Sequence, residues 1–308
     1  MEFTHFNALF NGLSNVVARE GNLFEPVADM RGGFDLVVCN PPFIISPESR
    51  FLYRDSGMRG DEICRTIARQ VPEFLAEGGL CQMLCNWAHV AGEDWRQHLA
   101  GWFEESGCDV WVMRFETADV AAYADAWTTK ADDPPAMLEQ WMAYYRQNRI
   151  EAVSLGLVCM RRRTGGRNWL RIEDGVKPAR PVGDDVVTGF RLRDFLEDAE
   201  DDVLLASFLV AAPGVRLEQH CEPRDGGWAV TESILSRDAG IPARGAADPY
   251  IAALVARCTG RRPLGELVGE LAASLGRSRA DVAKPLLGIV RQLVLQGILV
   301  PADSLTSP

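Results

Sequence analysis

The run Phe34-Asp35-Leu36-Val37-Val38-Cys39-Asn40-Pro41-Pro42-Phe43 constrains this chain more tightly than any other stretch. Leu36 to Cys39 is short, apolar and rich in β-branched residues, which predicts a strand buried on both faces of a parallel sheet. Pro41 and Pro42 have no amide hydrogen to give a ladder, so the strand must stop by Asn40. Each proline also drives the residue before it into extended geometry. Asn40 and Pro41 are therefore held stiffly just past the carboxyl end of a strand, where open α/β sheets bind ligands. Taken alone, Asn-Pro-Pro is ordinary loop punctuation. With Phe-Asp and an apolar strand before it and an aromatic after it, the pattern predicts a site.

The groups on offer suggest a chemistry. The Asn40 side-chain oxygen accepts a hydrogen bond, and the direction of the Pro41 carbonyl is nearly fixed. Together they can accept both hydrogens of a planar –NH2 group. Such a nitrogen is a poor nucleophile because its lone pair is delocalised. Two acceptors aim it at an electrophile and favour localisation of the pair. Positioning of this kind contributes up to about 7–11 kcal/mol in the best intramolecular models. Phe43 can stack on a flat acceptor, worth about 1–3 kcal/mol for a base.

Elements that alternate between strand and helix surround the motif, the rhythm of a parallel sheet. A helix is predicted over 61–77, with apolar residues at Ile63, Ile67, Val71 and Phe74, ended by Gly78-Gly79. Strands follow at 80–87, 109–115 and 152–163, with a helix at 93–106. Residues 118–150 read as two helices split at Asp132-Asp133-Pro134-Pro135.

Asn-Pro-Pro-Phe after such a strand resembles the active-site floor of amino-group N-methyltransferases. Residues 1–165 resemble class I S-adenosylmethionine-dependent N-methyltransferases of the small-domain family, which modify ribosomal RNA guanine N2, tRNA adenine N6 or release-factor glutamine. Phe6-Asn7-Ala8-Leu9-Phe10-Asn11-Gly12 is similar to the helix after the family's second strand. Residues 15–24 are similar to its third strand and the Gly-Asp-Leu-Phe turn that follows; Asn22 stands where the family has Asp. Residues 51–61 resemble its substrate-side loop, with Arg54, Asp55, Gly57 and Gly60 at the recurring positions. The resemblance implies S-adenosylmethionine as cofactor, touched by Asn22, Leu23 and Asn40. It implies an acceptor held by Asn40, Pro41, Pro42 and Phe43, with direct SN2 transfer of methyl to nitrogen. An RNA base is the first expected acceptor and a protein glutamine the second.

The implied fold is a Rossmann-like methyltransferase sheet that lacks its first strands and glycine-rich turn. No Gly-x-Gly-x-Gly occurs in the 308 residues, and the acid that should hold the ribose hydroxyls is missing. The expectation is a fragment with an internal methionine at position 1, impaired as a catalyst. The alternatives are a chain with a divergent cofactor site, or a non-catalytic binding or scaffold protein that retains a degenerate methyltransferase fold.

Three domains are expected: a methyltransferase domain over 1–165, a connecting strand and acidic linker over 166–202, and a helical, winged-helix-like domain over 203–308. That last reading rests on helices at 250–259, 263–275 and 278–296, with Pro285 marking a kink or restart, and a short strand at 297–301. The whole layout resembles that of actinobacterial methyltransferases. Arg279, Lys284 and Arg291 are too few cations for a nucleic-acid reader, so packing or self-association is expected of this part. The net charge of −11 argues against a broad non-specific nucleic-acid surface. Eight cysteines with no Cys-x-x-Cys and four scattered histidines predict buried structural thiols and no metal site. Without a long apolar run or a signal peptide, a cytoplasmic protein with no membrane partner is expected.

Overall fold

The computed structural model describes residues 1–51, 53–175, 177–178 and 180–305. Leu52 of the expected substrate-side loop, Val176 and Ala179 of the expected connecting stretch and the last three residues lie outside the described residues. The chain divides into two compact units, 1–175 and 176–308.

The first unit is a mixed α/β fold. After helix α1 (Glu2–Phe10) and a 3-10 turn (Glu25–Met30) come β1 (Phe34–Cys39), α2 (Glu62–Gln70), β2 (Leu75–Val90), α3 (Trp95–Ala100) and β3 (Cys108–Asp119). Then follow α4 (Val120–Thr128), α5 (Pro134–Asn148), β4 (Ile150–Arg162) and β5 (Leu170–Asp174). The sheet order is β1-β2-β4-β3-β5. β1 is parallel to β2 and β5 to β3, while β4 runs antiparallel between β2 and β3. One side of the core gathers Trp87, Trp102, Leu75 and Met83 with α2 and α3; the other gathers Ile45, Trp141, Tyr145 and Val153 with α4 and α5. Gly156 lets Trp87 lie flat across the neighbouring strand: a Cβ there would stand 2.6 Å from the indole and 2.4 Å from the Met113 carbonyl.

Several expectations need correction. β1 is not buried on both faces. It is an edge strand, with Leu36 54% and Val38 72% exposed. The third strand expected over 15–20 is absent, and Val16 and Val17 are exposed. A parallel strand needs a neighbour for its ladder, and among the described residues no strand lies beyond β1 to provide one. The 61–77 helix ends earlier, at Gln70, because Pro72 breaks it into a 3-10 turn. Gly78-Gly79 then sits inside β2, where the register slips. The 93–106 helix is only six residues long. α4 and α5 do part just before Pro134, capped by Asp133.

The second unit holds α6 (Gly183–Asp198), α7 (Asp201–Ala206), β6 (Leu209–Ala211), β7 (Val215–Arg224), β8 (Gly227–Arg237) and β9 (Ala243–Ala246). They are followed by α8 (Pro249–Arg257), α9 (Leu264–Ser274), α10 (Arg279–Leu295) and β10 (Leu299–Pro301). Within 166–202, expected as a connecting strand and acidic linker, the strand is present as β5 at the edge of the first unit's sheet, while the remainder supplies the opening helices of the second unit. The acidic run 194–202 is helical at both ends, because Phe195, Leu196 and Ala199 pack on the core of this unit. α10 continues through Pro285. β10 pairs antiparallel with β6, and β7-β8-β9 form a separate antiparallel sheet whose long hairpin precedes α8, α9 and α10. No helix among the described residues is long and apolar enough to cross a membrane.

Candidate functional site

Asn40 lies just past the carboxyl end of β1, with its side chain exposed to solvent. Pro41 is buried, and Pro42 and Phe43 are half-buried. The phenyl ring of Phe43 packs against both core clusters of the first unit. Its backbone bridges to Asp55, and the Ile44 N–H donates to the Arg54 carbonyl at 3.2 Å. The Asn-Pro-Pro-Phe turn and the Arg-Asp loop, both singled out in the sequence, are thus brought together.

The next residue, Ile45, is fully buried and fixed from two helices. The Tyr145 hydroxyl donates to its carbonyl at 2.8 Å, and its N–H donates to the Tyr123 hydroxyl at 3.3 Å. Asn86 Nδ2 donates to that same hydroxyl at 2.6 Å, while its Oδ1 is buried without a partner among the described residues. Burial pushes the Tyr123 phenol above its ordinary range, so it stays neutral and serves as a hydrogen-bonding post. Sequence reasoning missed Asn86, Tyr123 and Tyr145. Asn86 gave a signal: it is a polar side chain at the buried end of an apolar strand, where a partner is obligatory.

The Arg54 and Asp55 side chains are turned inward. Asp55 is fully buried, accepts from Arg54 Nε at 2.8 Å, from Ser46 Oγ at 3.1 Å and from the Phe51 N–H at 3.1 Å. The Arg54 guanidinium also reaches Glu48 at 2.5 Å and lies over the rings of Phe51, Trp127 and Trp141. Breaking a buried pair like this strands a charge, which costs about 3–5 kcal/mol. The pair therefore clamps the loop, and the turn at Asn40 is held from behind. Gly57 and Gly60 both take left-handed backbone, φ +70° and +58°, a conformation that glycine adopts without strain. The Gly60 N–H donates to the Tyr144 hydroxyl at 2.8 Å.

Asp61, just beyond, is buried and accepts from the Ala88 N–H at 2.9 Å and pairs with His98 Nε2 at 3.0 Å. The Asp61 carboxylate raises the imidazole above its ordinary 6.5, against the opposing effect of partial burial. The pair borders a cavity of about 350 Å³ that Arg59, Arg65, Glu93 and Arg149 also line.

On the expected cofactor side, Asn22 is exposed in a turn, and its carbonyl accepts from the Glu25 N–H at 3.0 Å. Leu23 has φ +46°, left-handed backbone that is strained for a leucine. Leu23 and Phe24 pack on the core cluster that also receives Phe43. The Asn22 amide suits the adenine amino group as an acceptor. The 308 residues contain no Gly-x-Gly-x-Gly run to approach the amino-acid end of S-adenosylmethionine. The donor set at Asn22 thus fits the adenine end of such a cofactor.

The cysteines are buried thiols except Cys39, which is half-buried, and Cys221, which is exposed. Burial, reinforced by Cys64, pushes Cys39 up to about 11, and burial pushes Cys81 up to about 12. At neutral pH these are not nucleophiles. Among the described residues no group of three or more His, Cys, Asp or Glu side chains is placed to hold a metal ion.

Residues 188–301, in the second unit, match a family model described as a domain of unknown function, DUF7782. A release factor glutamine methyltransferase from Xylella fastidiosa is 33% identical over 105 residues, which cover 31% of this chain and 38% of that protein. The chain thus spans well under half the length of this curated relative. Among solved structures, a Galdieria sulphuraria protein assigned as a sarcosine dimethylglycine methyltransferase aligns with a TM-score of 0.32 and 12% identity, over 54% of this chain and 66% of that one. A geranyl diphosphate C-methyltransferase from Streptomyces coelicolor aligns with a TM-score of 0.30 and 11% identity, over 52% of this chain and 59% of that one.

Proposed function

We propose that the first unit is the acceptor-holding side of an S-adenosylmethionine-dependent N-methyltransferase that acts on a planar amino group. The observation that carries this is the Asn40-Pro41-Pro42-Phe43 turn at the carboxyl end of β1, clamped by the buried Arg54–Asp55 pair. The partial identity with a release factor glutamine methyltransferase supports it. That identity now moves a protein glutamine ahead of an RNA base as the acceptor. The acidity of the chain, net charge −11, points the same way, because a polyanion would be repelled.

In this reading the Asn40 Oδ1 and the Pro41 carbonyl each accept one hydrogen of the acceptor –NH2. Their rigidity aims the nitrogen and removes the entropy cost of alignment at the moment of reaction. Phe43, pinned through its bridge to Asp55, forms the apolar floor under the acceptor plane. The proton leaves a nitrogen that becomes cationic on alkylation, so no strong general base is required. Bound S-adenosylmethionine would supply the electrophilic methyl. Asn22 would accept from its adenine amino group.

A second reading is a binding or scaffold protein that retains the fold without turnover. It is favoured by the missing ribose-holding acid and glycine-rich turn within residues 1–308. Calorimetry separates the two. Under the first reading the chain should bind S-adenosylmethionine, and under the second it should not. An assay with labelled cofactor against glutamine-bearing protein acceptors and RNA then tests the reaction. Label on an amide nitrogen supports the proposal. A chain that binds cofactor and labels no acceptor nitrogen overturns it.

A further inference from the structure

The turn end of the β7–β8 hairpin is largely exposed, with no buried residue from Val215 to Glu232. Its strands are joined by a two-residue turn, Asp225-Gly226, with φ +48° and +79°, the mirror-image turn that suits hairpins. The turn makes Arg224 and Gly227 the closing hydrogen-bonded pair. Even-numbered residues of β7 therefore bond to β8, and odd-numbered ones direct their N–H and C=O groups outward. The His220 carbonyl does face β8, where it accepts from Thr231 Oγ1 at 3.2 Å. The register slip beyond His220 places the extra residue, Thr231, on β8, so β7 keeps its alternation throughout. β7 is the terminal strand of its sheet. The outward amides and carbonyls of Leu217, Gln219 and Cys221 form an unpaired edge.

One face of the arm is apolar. The cross-strand pairs Cys221↔Val230 and Pro223↔Trp228 extend a stripe that begins at Leu217. Trp228 is 76% exposed, and Leu217 and Val230 are about half exposed. The other face of β7 carries Arg216, Glu218, His220, Glu222 and Arg224.

We infer that this edge pairs with the same edge of a second copy, antiparallel and centred on Gln219. A two-fold axis at Gln219 sets Leu217 opposite Cys221 and Gln219 opposite itself as hydrogen-bonded pairs. Arg216 then faces Glu222, and Glu218 faces His220, in the closer non-hydrogen-bonded positions. The two-fold repeats each contact, so every charge on β7 between 216 and 222 meets a complementary group. Other registers are worse. Centring on His220 opposes Arg216 to Arg224 and Glu218 to Glu222, both like-charged. Centring on Cys221 sets Pro223, which has no N–H, in the ladder against Gln219. The chosen register also joins the two apolar stripes on one face of a continuous sheet, β9-β8-β7-β7-β8-β9. Isologous pairing of this kind closes on itself and stops at a dimer.

Light scattering and crosslinking test the proposal on the full 308-residue chain. Hydrogen-bonded antiparallel partners have Cα atoms about 5.5 Å apart, within disulfide range. Gln219→Cys in a Cys221→Ser background should give a reducible dimer under mild copper-phenanthroline oxidation. His220→Cys in the same background faces Glu218 and should crosslink far less. Arg216→Glu should weaken the dimer roughly tenfold or more, because the change is felt twice. Adding Glu222→Arg should restore it. A chain that is monomeric at every concentration reached overturns the proposal. So does a dimer that crosslinks equally at both positions, or one whose dissociation constant ignores the charge swaps.

Discussion

β1 and β4 are strands of one sheet and read almost alike as sequences, yet they meet opposite fates. Leu36-Val37-Val38-Cys39 and Leu157-Val158-Cys159-Met160 are both short apolar runs. Val158, Cys159 and Met160 are sealed between two strands and beneath helices, while Leu36 and Val38 face solvent at an edge. α1 shares the fate of β1, with Phe3 85% exposed and only Ala8 buried. Apolar composition states what a segment would gain by burial; its neighbours decide whether the gain is realised. The difference bears on the proposed function, because the Asn40-Pro41-Pro42-Phe43 turn follows β1 directly. Its rigidity comes from one side, through the Arg54–Asp55 clamp and the tyrosines on Ile45.

Substitutions on the two sides should separate this contrast, beginning with the largest effect. On the sealed side, Trp87→Ala should cost about 3–5 kcal/mol in urea unfolding, since the ring is fully buried. Asp55→Ala should cost a similar amount, about 3–5 kcal/mol, by removing the buried carboxylate that Arg54, Ser46 and the Phe51 N–H all engage. Retention of wild-type stability would mean that the loop is not clamped. Gly156→Ala forces a Cβ into the indole and a backbone carbonyl and should cost about 1–3 kcal/mol.

The His98–Asp61 pair should produce a smaller, pH-dependent effect. His98 is raised above 6.5 in the folded state. Its contribution is therefore fully present below pH 6.5 and is lost as pH rises through the elevated value. His98→Gln should remove that part of the stability-versus-pH curve; an unchanged curve would contradict the pairing. Smallest of all, Leu36→Ser and Val38→Ser should each change stability by less than about 0.5 kcal/mol. A loss of several kcal/mol at either position would show that β1 is covered in solution.

Much of the fold was legible because it is local. The prolines at 41 and 42 stopped β1, the acid and prolines at 132–135 separated α4 from α5, and the apolar run at 152–163 became β4. Failures came where tertiary context overrode local pattern. Residues 15–20 have strand-like composition and no strand to pair with. Residues 194–202 look like a solvated linker, yet Phe195, Leu196 and Ala199 anchor them to a core. Gly78-Gly79 reads as a helix stop and serves as a strand irregularity, because Pro72 had already ended the helix. Of the candidate site, the Asn40 turn could be read because proline geometry is a chain property. The meeting of Tyr123, Tyr145 and Asn86 on Ile45 could not, since those residues come together from separate elements 37 to 100 positions apart.

The most direct test of the central claim is methyl transfer by this protein, measured with and without Asn40→Ala alongside cofactor affinity. If Asn40 and Pro41 hold the acceptor nitrogen, turnover should fall on the order of a hundredfold or more while the dissociation constant for S-adenosylmethionine stays close to wild type. Unchanged turnover, or a loss explained wholly by weaker cofactor binding, would contradict the role assigned to Asn40 and with it the acceptor site.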